Sequence, residues 1–228
     1  MFLCYNKINL MFLNMFYRAM KVIFWSVFFS AFVLAGVYWY FENFYLVTTF
    51  LLGAFSLFIL FLISKSSRVK KYYSEAFGET LLGIGGLIFF TTSLGTVYFY
   101  KYIKFFEYDF LVHMIIPAAF VVMAAMFYEI LKIKNGVSDK VKVILISSIL
   151  ILALSFFWEI FQEQGDIWWG TEMFFDSNQP IAIDVANDLV ADVFGVFAGC
   201  VLIFKNWEKW NKKWLKTTDD KRLTTNDL

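Results

Sequence analysis

The stretch Ile183–Phe204, IDVANDLVADVFGVFAGCVLIF, decides the fold. As a helix rising about 1.5 Å per residue it spans the roughly 30 Å hydrocarbon core of a bilayer. Its only charged residues are Asp184, Asp188 and Asp192. Spaced by four, they drift only about 40° per step on a 3.6-residue helix and form one stripe. Gly195 and Gly199 continue that face. Turned to lipid, each carboxylate would cost several kcal/mol, so the stripe must face protein, water or a cation. It descends about 12 Å from Asp184 to Asp192.

The rest of the chain fits that reading. Of 228 residues, 60% are hydrophobic and 17% charged, and mean hydropathy is +0.64. A soluble domain is nearer half apolar and a quarter charged, so this composition excludes a soluble enzyme, a disordered chain and a disulfide scaffold. A net charge of +1 argues against a nucleic-acid partner. Cys4 and Cys200 read as ordinary free thiols.

Apolar runs near twenty residues predict six membrane helices: Val22–Tyr40, Tyr45–Ile63, Leu81–Phe99, Phe110–Leu131, Val141–Phe161 and Ile183–Phe204. In lipid the backbone must satisfy its own hydrogen bonds, so the expected class is all-α, a six-helix bundle. Of the 20 basic residues, all but Lys101 and Lys104 fall on one side of this arrangement. The positive-inside rule then places both termini in the cytoplasm. Three parts are expected: a leader or interfacial segment over 1–20, a transmembrane domain over 21–205, and a basic tail over 206–228. The leader shows no small-residue cleavage site, which argues against a cleaved signal peptide. The tail carries Trp207, Trp210 and Trp214 among lysines, suiting a helix along the inner membrane surface. Gly83, Gly85 and Gly86 read as close helix packing.

Intramembrane polar residues are the informative ones. Asp109 and His113 share a face near the outer end of the fourth span. Glu159, Gln162 and Glu163 close the fifth, and Asp184, Asn187, Asp188 and Asp192 open the sixth. All three groups fall at one depth, and an outward-facing site is expected where they meet. Asp109, His113, Glu159, Asp184 and Asp188 are the expected cation ligands, with Asp109, His113 and Glu159 as catalytic candidates. Gln162, Glu163, Asn187 and Asp192 are the expected supporting groups. Pro117 has no N–H for the carbonyl four residues back, which is that of His113, so a kink and a free oxygen are expected beside the only histidine. Thr91, Thr92, Ser93 and Thr96 should bond their own helix or line the site. The segment Asp166–Pro180, with Trp168, Trp169, Phe174 and Phe175, should form an aromatic anchor or a lid.

Tyr108–His113, Trp158-Glu159 leading to Gly165–Trp168, and Asp184-x-x-x-Asp188 with Gly195 and Gly199 together resemble the YjdF-like family of inner-membrane proteins, and more distantly VanZ-like proteins. The resemblance covers the third to sixth spans and implies a fold and a site rather than an activity. VanZ-like proteins are linked with glycopeptide tolerance and the cell envelope. The chain has no match to that group's basic positions, and the activity is not carried over.

Three functions compete. One is a protein that binds a membrane or cell-envelope ligand through a cation-holding site. Another is a metal-dependent, membrane-embedded hydrolase or transferase acting on a lipid-linked substrate. The last is an ion- or proton-coupled transporter. Oxygen ligands with one imidazole suit a divalent metal such as magnesium, manganese, iron or zinc. The expected setting is the lipid bilayer of the cytoplasmic membrane, crossed several times.

Overall fold

A computed structural model describes residues 2–95, 108–132, 139–169 and 181–215. Among these the regular elements are helices: α1 (Phe2–Tyr40), α2 (Phe44–Lys65), α3 (Ser67–Tyr72), α4 (Glu75–Phe89), α5 (Tyr108–Lys132), α6 (Lys140–Trp169) and α7 (Ile181–Trp214). A π-helical turn, Phe90–Gly95, follows α4. Five helices are long and apolar enough to cross a membrane, over Arg18–Tyr40, Leu46–Lys65, Tyr108–Lys132, Lys140–Gln164 and Ala182–Trp214.

The third expected span differs. Its α-helix holds only fifteen residues before the ladder widens at Phe90. Thr91 and Thr92 sit in that turn and donate their hydroxyls back to the Leu87 and Ile88 carbonyls at 2.9 Å. Such back-bonding competes with the regular helical ladder and bends helices. Thr96 and residues 97–99 lie outside the described residues, as do Phe174 and Phe175.

The helices fall into two units, Met1–Leu94 with Glu208–Leu228, and Gly95–Trp207. In the first, α1, α2 and α4 pack against one another. Without water between them, helices in lipid associate through close packing rather than hydrophobic burial. Phe24 of α1 is fully buried and stacks at 6.4 Å on Phe61 of α2. A Cβ on Gly86 of α4 would lie 3.3 Å from the Phe24 Cα. Phe50 of α2 meets the Phe89 ring edge-on at 6.3 Å, and each such aromatic pair contributes about 0.5–1.5 kcal/mol beyond its area.

The α1–α2 turn is closed by backbone bonds. Glu42 adopts φ 58, the left-handed region, and the Asn43 N–H reaches the Tyr38 carbonyl at 3.0 Å. That six-to-one bond satisfies an orphan helix-end carbonyl. The Asn43 side chain then accepts from the Leu46 N–H at 3.1 Å and starts α2.

At the two ends, α1 runs as one helix from Phe2, and α7 continues unbroken to Trp214. Ser74 pins that end, its hydroxyl donating to the Lys213 carbonyl and its N–H to the Trp214 carbonyl, both at 2.7 Å. The buried Trp214 ring meets Phe77 edge-on at 5.5 Å. Anchoring to the start of α4 satisfies helix-end carbonyls that would otherwise need water.

In the second unit α5 packs on α6. The outer faces are apolar: Val193, Phe197 and Phe157 are 55%, 66% and 64% exposed. A soluble protein hides such side chains, whereas a bilayer accepts them. Lys140 places its ammonium 4.1 Å from the centre of the Phe204 ring, tying the start of α6 to α7.

Candidate metal centre

The geometry of this centre begins with two glycines. A Cβ on Gly195 would run into the Met114 carbonyl and come within 3.2 Å of the His113 oxygen. On Gly199 it would lie 2.8 Å from the Ala118 carbonyl. Both glycines face α5, and their bare backbones let α7 close on it. The closest approach is to the Met114 carbonyl, next to the His113 carbonyl that Pro117 deprives of its helical donor. α5 nevertheless continues as a helix through Pro117.

That docking fixes the register. With Gly195 at the level of His113 and Met114, the residue one turn earlier on α7 lies beside the imidazole. That residue is Asp192, whose Oδ1 is 3.1 Å from His113 Nδ1. If Asp192 is ionised it can only accept, and a neutral ring then carries its proton on Nδ1. The lone pair of the neutral ring is then on Nε2. On that edge lie Asp109 Oδ1 at 3.9 Å, one turn back on α5, and Asp188 Oδ2 at 3.8 Å, from α7. Glu159 of α6 completes the set, its Oε1 3.8 Å from Nδ1.

Two trios could each hold an ion, with ligand atoms within 4.8 Å of one another: Asp109, His113 and Asp188, and His113, Glu159 and Asp192. His113, Glu159, Asp188 and Asp192 are buried. The Asp109 side chain, at 46% exposed, is the least buried of the set. Glu159 is the most unusual member: only 4% exposed, it has no hydrogen-bond partner for either carboxylate oxygen. Its neighbours Trp158 and Ile160 are 49% and 41% exposed, so α6 turns its apolar side chains outward and its charge inward. A buried carboxylate without donors is strongly unfavourable unless a cation or proton compensates it.

Of the expected ligands, Asp109, His113, Glu159 and Asp188 come together. Asp184 is half-buried, one turn above Asp188, and belongs to neither trio. Asp192, expected only in support, makes the shortest contact with the ring. With the Gly195 contact in place, Asp188 and Asp192 are the α7 carboxylates within 4 Å of the His113 ring. Gly195 and Gly199 were both visible in the sequence, and their contact with α5 carries that register. Gln162 is half-buried, while Glu163 and Asn187 are exposed, and none of these three joins a trio. Thr91 and Thr92 bond their own helix.

The DUF2238 family, described as a predicted membrane protein, matches residues 15–208. The chain belongs to that family. The match takes in α5, α6 and every residue of both trios. No curated protein and no solved structure matches the chain. The family description and the apolar helices make the chain a membrane protein with several membrane-crossing helices, and its buried His/Asp/Glu group could hold a metal ion.

Proposed function

We propose that this DUF2238 member is a multi-pass protein of the cytoplasmic membrane that binds a divalent cation between α5, α6 and α7, and through it a membrane or cell-envelope ligand. The observation that carries the reading is Glu159, buried with both oxygens unpartnered and directed at His113. A cation supplies the positive charge that four carboxylates around one imidazole lack. Nitrogen and oxygen ligands suit zinc, manganese or iron. Asp192 holds the imidazole by its Nδ1–H, as carboxylates do behind metal-binding histidines. The half-exposed Asp109 favours a second reading, a hydrolase or transferase acting on a lipid-linked substrate, because catalytic metal sites keep an open position.

The proposed topology has six spans, the third formed by α4 and its π-helical turn. Glu75–Gly95 is 21 helical residues, roughly 30 Å at about 1.5 Å each. Basic residues then gather on the cytoplasmic side with both termini, and the cluster faces outward. The YjdF-like resemblance is kept as part of this proposal. Cysteines introduced at Ser177 and Ser67, with Cys4 and Cys200 replaced, test the orientation. An impermeant reagent on whole cells should label the former alone, and labelling of the latter alone would reverse it.

The cation reading is tested on detergent-purified protein stripped with EDTA. Added Zn2+ or Mn2+ should raise its unfolding temperature saturably, and Asp188→Asn should weaken that response. An unchanged unfolding temperature with both metals would overturn the reading.

A further inference from the structure

His113 stands between two pairs of carboxylates, not inside one ring of them. Asp109 and Asp188 lie 3.9 and 3.8 Å from Nε2, and Asp192 and Glu159 lie 3.1 and 3.8 Å from Nδ1. Zinc bonds of about 2.0–2.2 Å put adjacent ligand atoms roughly 3.0–3.5 Å apart. Each pair therefore meets its ring nitrogen at nearly coordination spacing, and carboxylate rotation closes the remainder. A single ion serves one edge only, since the two nitrogens of an imidazole point away from each other.

We infer that the site holds two divalent cations, one on each edge of His113, with the ring bridging them. This rests on the cation reading above and goes beyond it. An ion at Nε2, bound by Asp109 and Asp188, leaves Glu159 as it stands, buried and without a donor for either oxygen. It also leaves two uncompensated negative charges, because a metal-bound histidine is neutral. A second ion bound by Glu159, Asp192 and Nδ1 takes the place of the Nδ1 proton, which leaves to solvent. The residual charge falls to one, and the Glu159 oxygens gain the partner they lack. Charges at membrane depth are tolerated when paired in this way. Paired metals are also a recurrent device for holding and cleaving phosphate esters. A phosphorylated headgroup or carrier lipid is accordingly the ligand class that the half-exposed Asp109 edge would admit.

Zinc stoichiometry tests the inference directly. EDTA-stripped, detergent-purified full-length protein is loaded with Zn2+, desalted and analysed for metal. Wild type should retain two zinc ions per chain. Glu159→Gln should retain one, held on the Nε2 edge. Asp109→Asn should also retain one, and its half-exposed position makes it a variant unlike a core lesion; elution as a single species by size exclusion checks folding. One zinc in the wild type, or two in Glu159→Gln, would overturn the two-cation site and leave the single-cation reading standing. No zinc in the wild type would remove both.

Discussion

In α1, α2 and α4 the hydroxyls turn back on their own helices. Ser30 donates to the Ser26 carbonyl, Thr48 to Phe44, Ser56 to Leu52 and Thr80 to Ala76. What joins these helices is aromatic and glycine packing. In α5, α6 and the first turns of α7, polar groups meet across helices, and acceptors outnumber donors. The first arrangement is complete as it stands in lipid. The second is electrostatically incomplete until something positive enters. A membrane protein tolerates polar groups in either way, but only the second one points to a ligand.

The difference can be broken at its hinge. Gly195→Val sets a branched side chain against main-chain atoms of α5, which cannot rotate away. It should destabilise the second unit by more than about 4 kcal/mol, the range reserved for exceptional core lesions. Unfolding in mixed detergent micelles checks this, and a near-native midpoint would contradict the helix contact that sets the site.

Phe24→Ala should cost about 3–5 kcal/mol by emptying the centre of the first unit. It should leave the zinc-induced rise in midpoint unchanged, because its packing involves no ligand. Loss of the zinc response there would erase the contrast between the two units.

Zinc itself should stabilise the wild type by about 2.7 kcal/mol at a hundredfold excess over its Kd. Asp192→Asn keeps the size of the side chain but removes the carboxylate that holds Nδ1–H. It should lose most of the zinc effect, consistent with the ten- to hundredfold affinity loss typical of groups that orient a ligating histidine. Smallest of all, Ser56→Ala should stay within about 0.5 kcal/mol and bind zinc as the wild type does, since its exposed hydroxyl donates back to the Leu52 carbonyl of its own helix.

Much of this contrast was legible in the residues. Runs of apolar length pointed to an all-α membrane protein, and the polar residues singled out in three of those runs include Asp109, His113, Glu159, Asp188 and Asp192, which meet around the imidazole. What hydropathy could not supply was local geometry. The π-helical turn at Phe90–Gly95 is a local departure from the α-helical ladder, which a sliding average does not register. The end of α7 is held by Ser74, distant in sequence, which donates to its last carbonyls. Which two neighbours of the Asp184, Asp188 and Asp192 stripe meet His113 is a matter of one helical turn, and periodicity is blind to a shift of one turn. Only the contact between Gly195 and the His113–Met114 carbonyls resolves it.

The most direct measurement is zinc-edge X-ray absorption on the metal-loaded protein in detergent. A cation held by His113 and its carboxylates predicts nitrogen and oxygen scatterers at about 2.0–2.2 Å, together with the outer-shell pattern of an imidazole, and loss of that pattern in His113→Ala. A spectrum of water oxygens alone, the same in wild type and variant, would contradict the site.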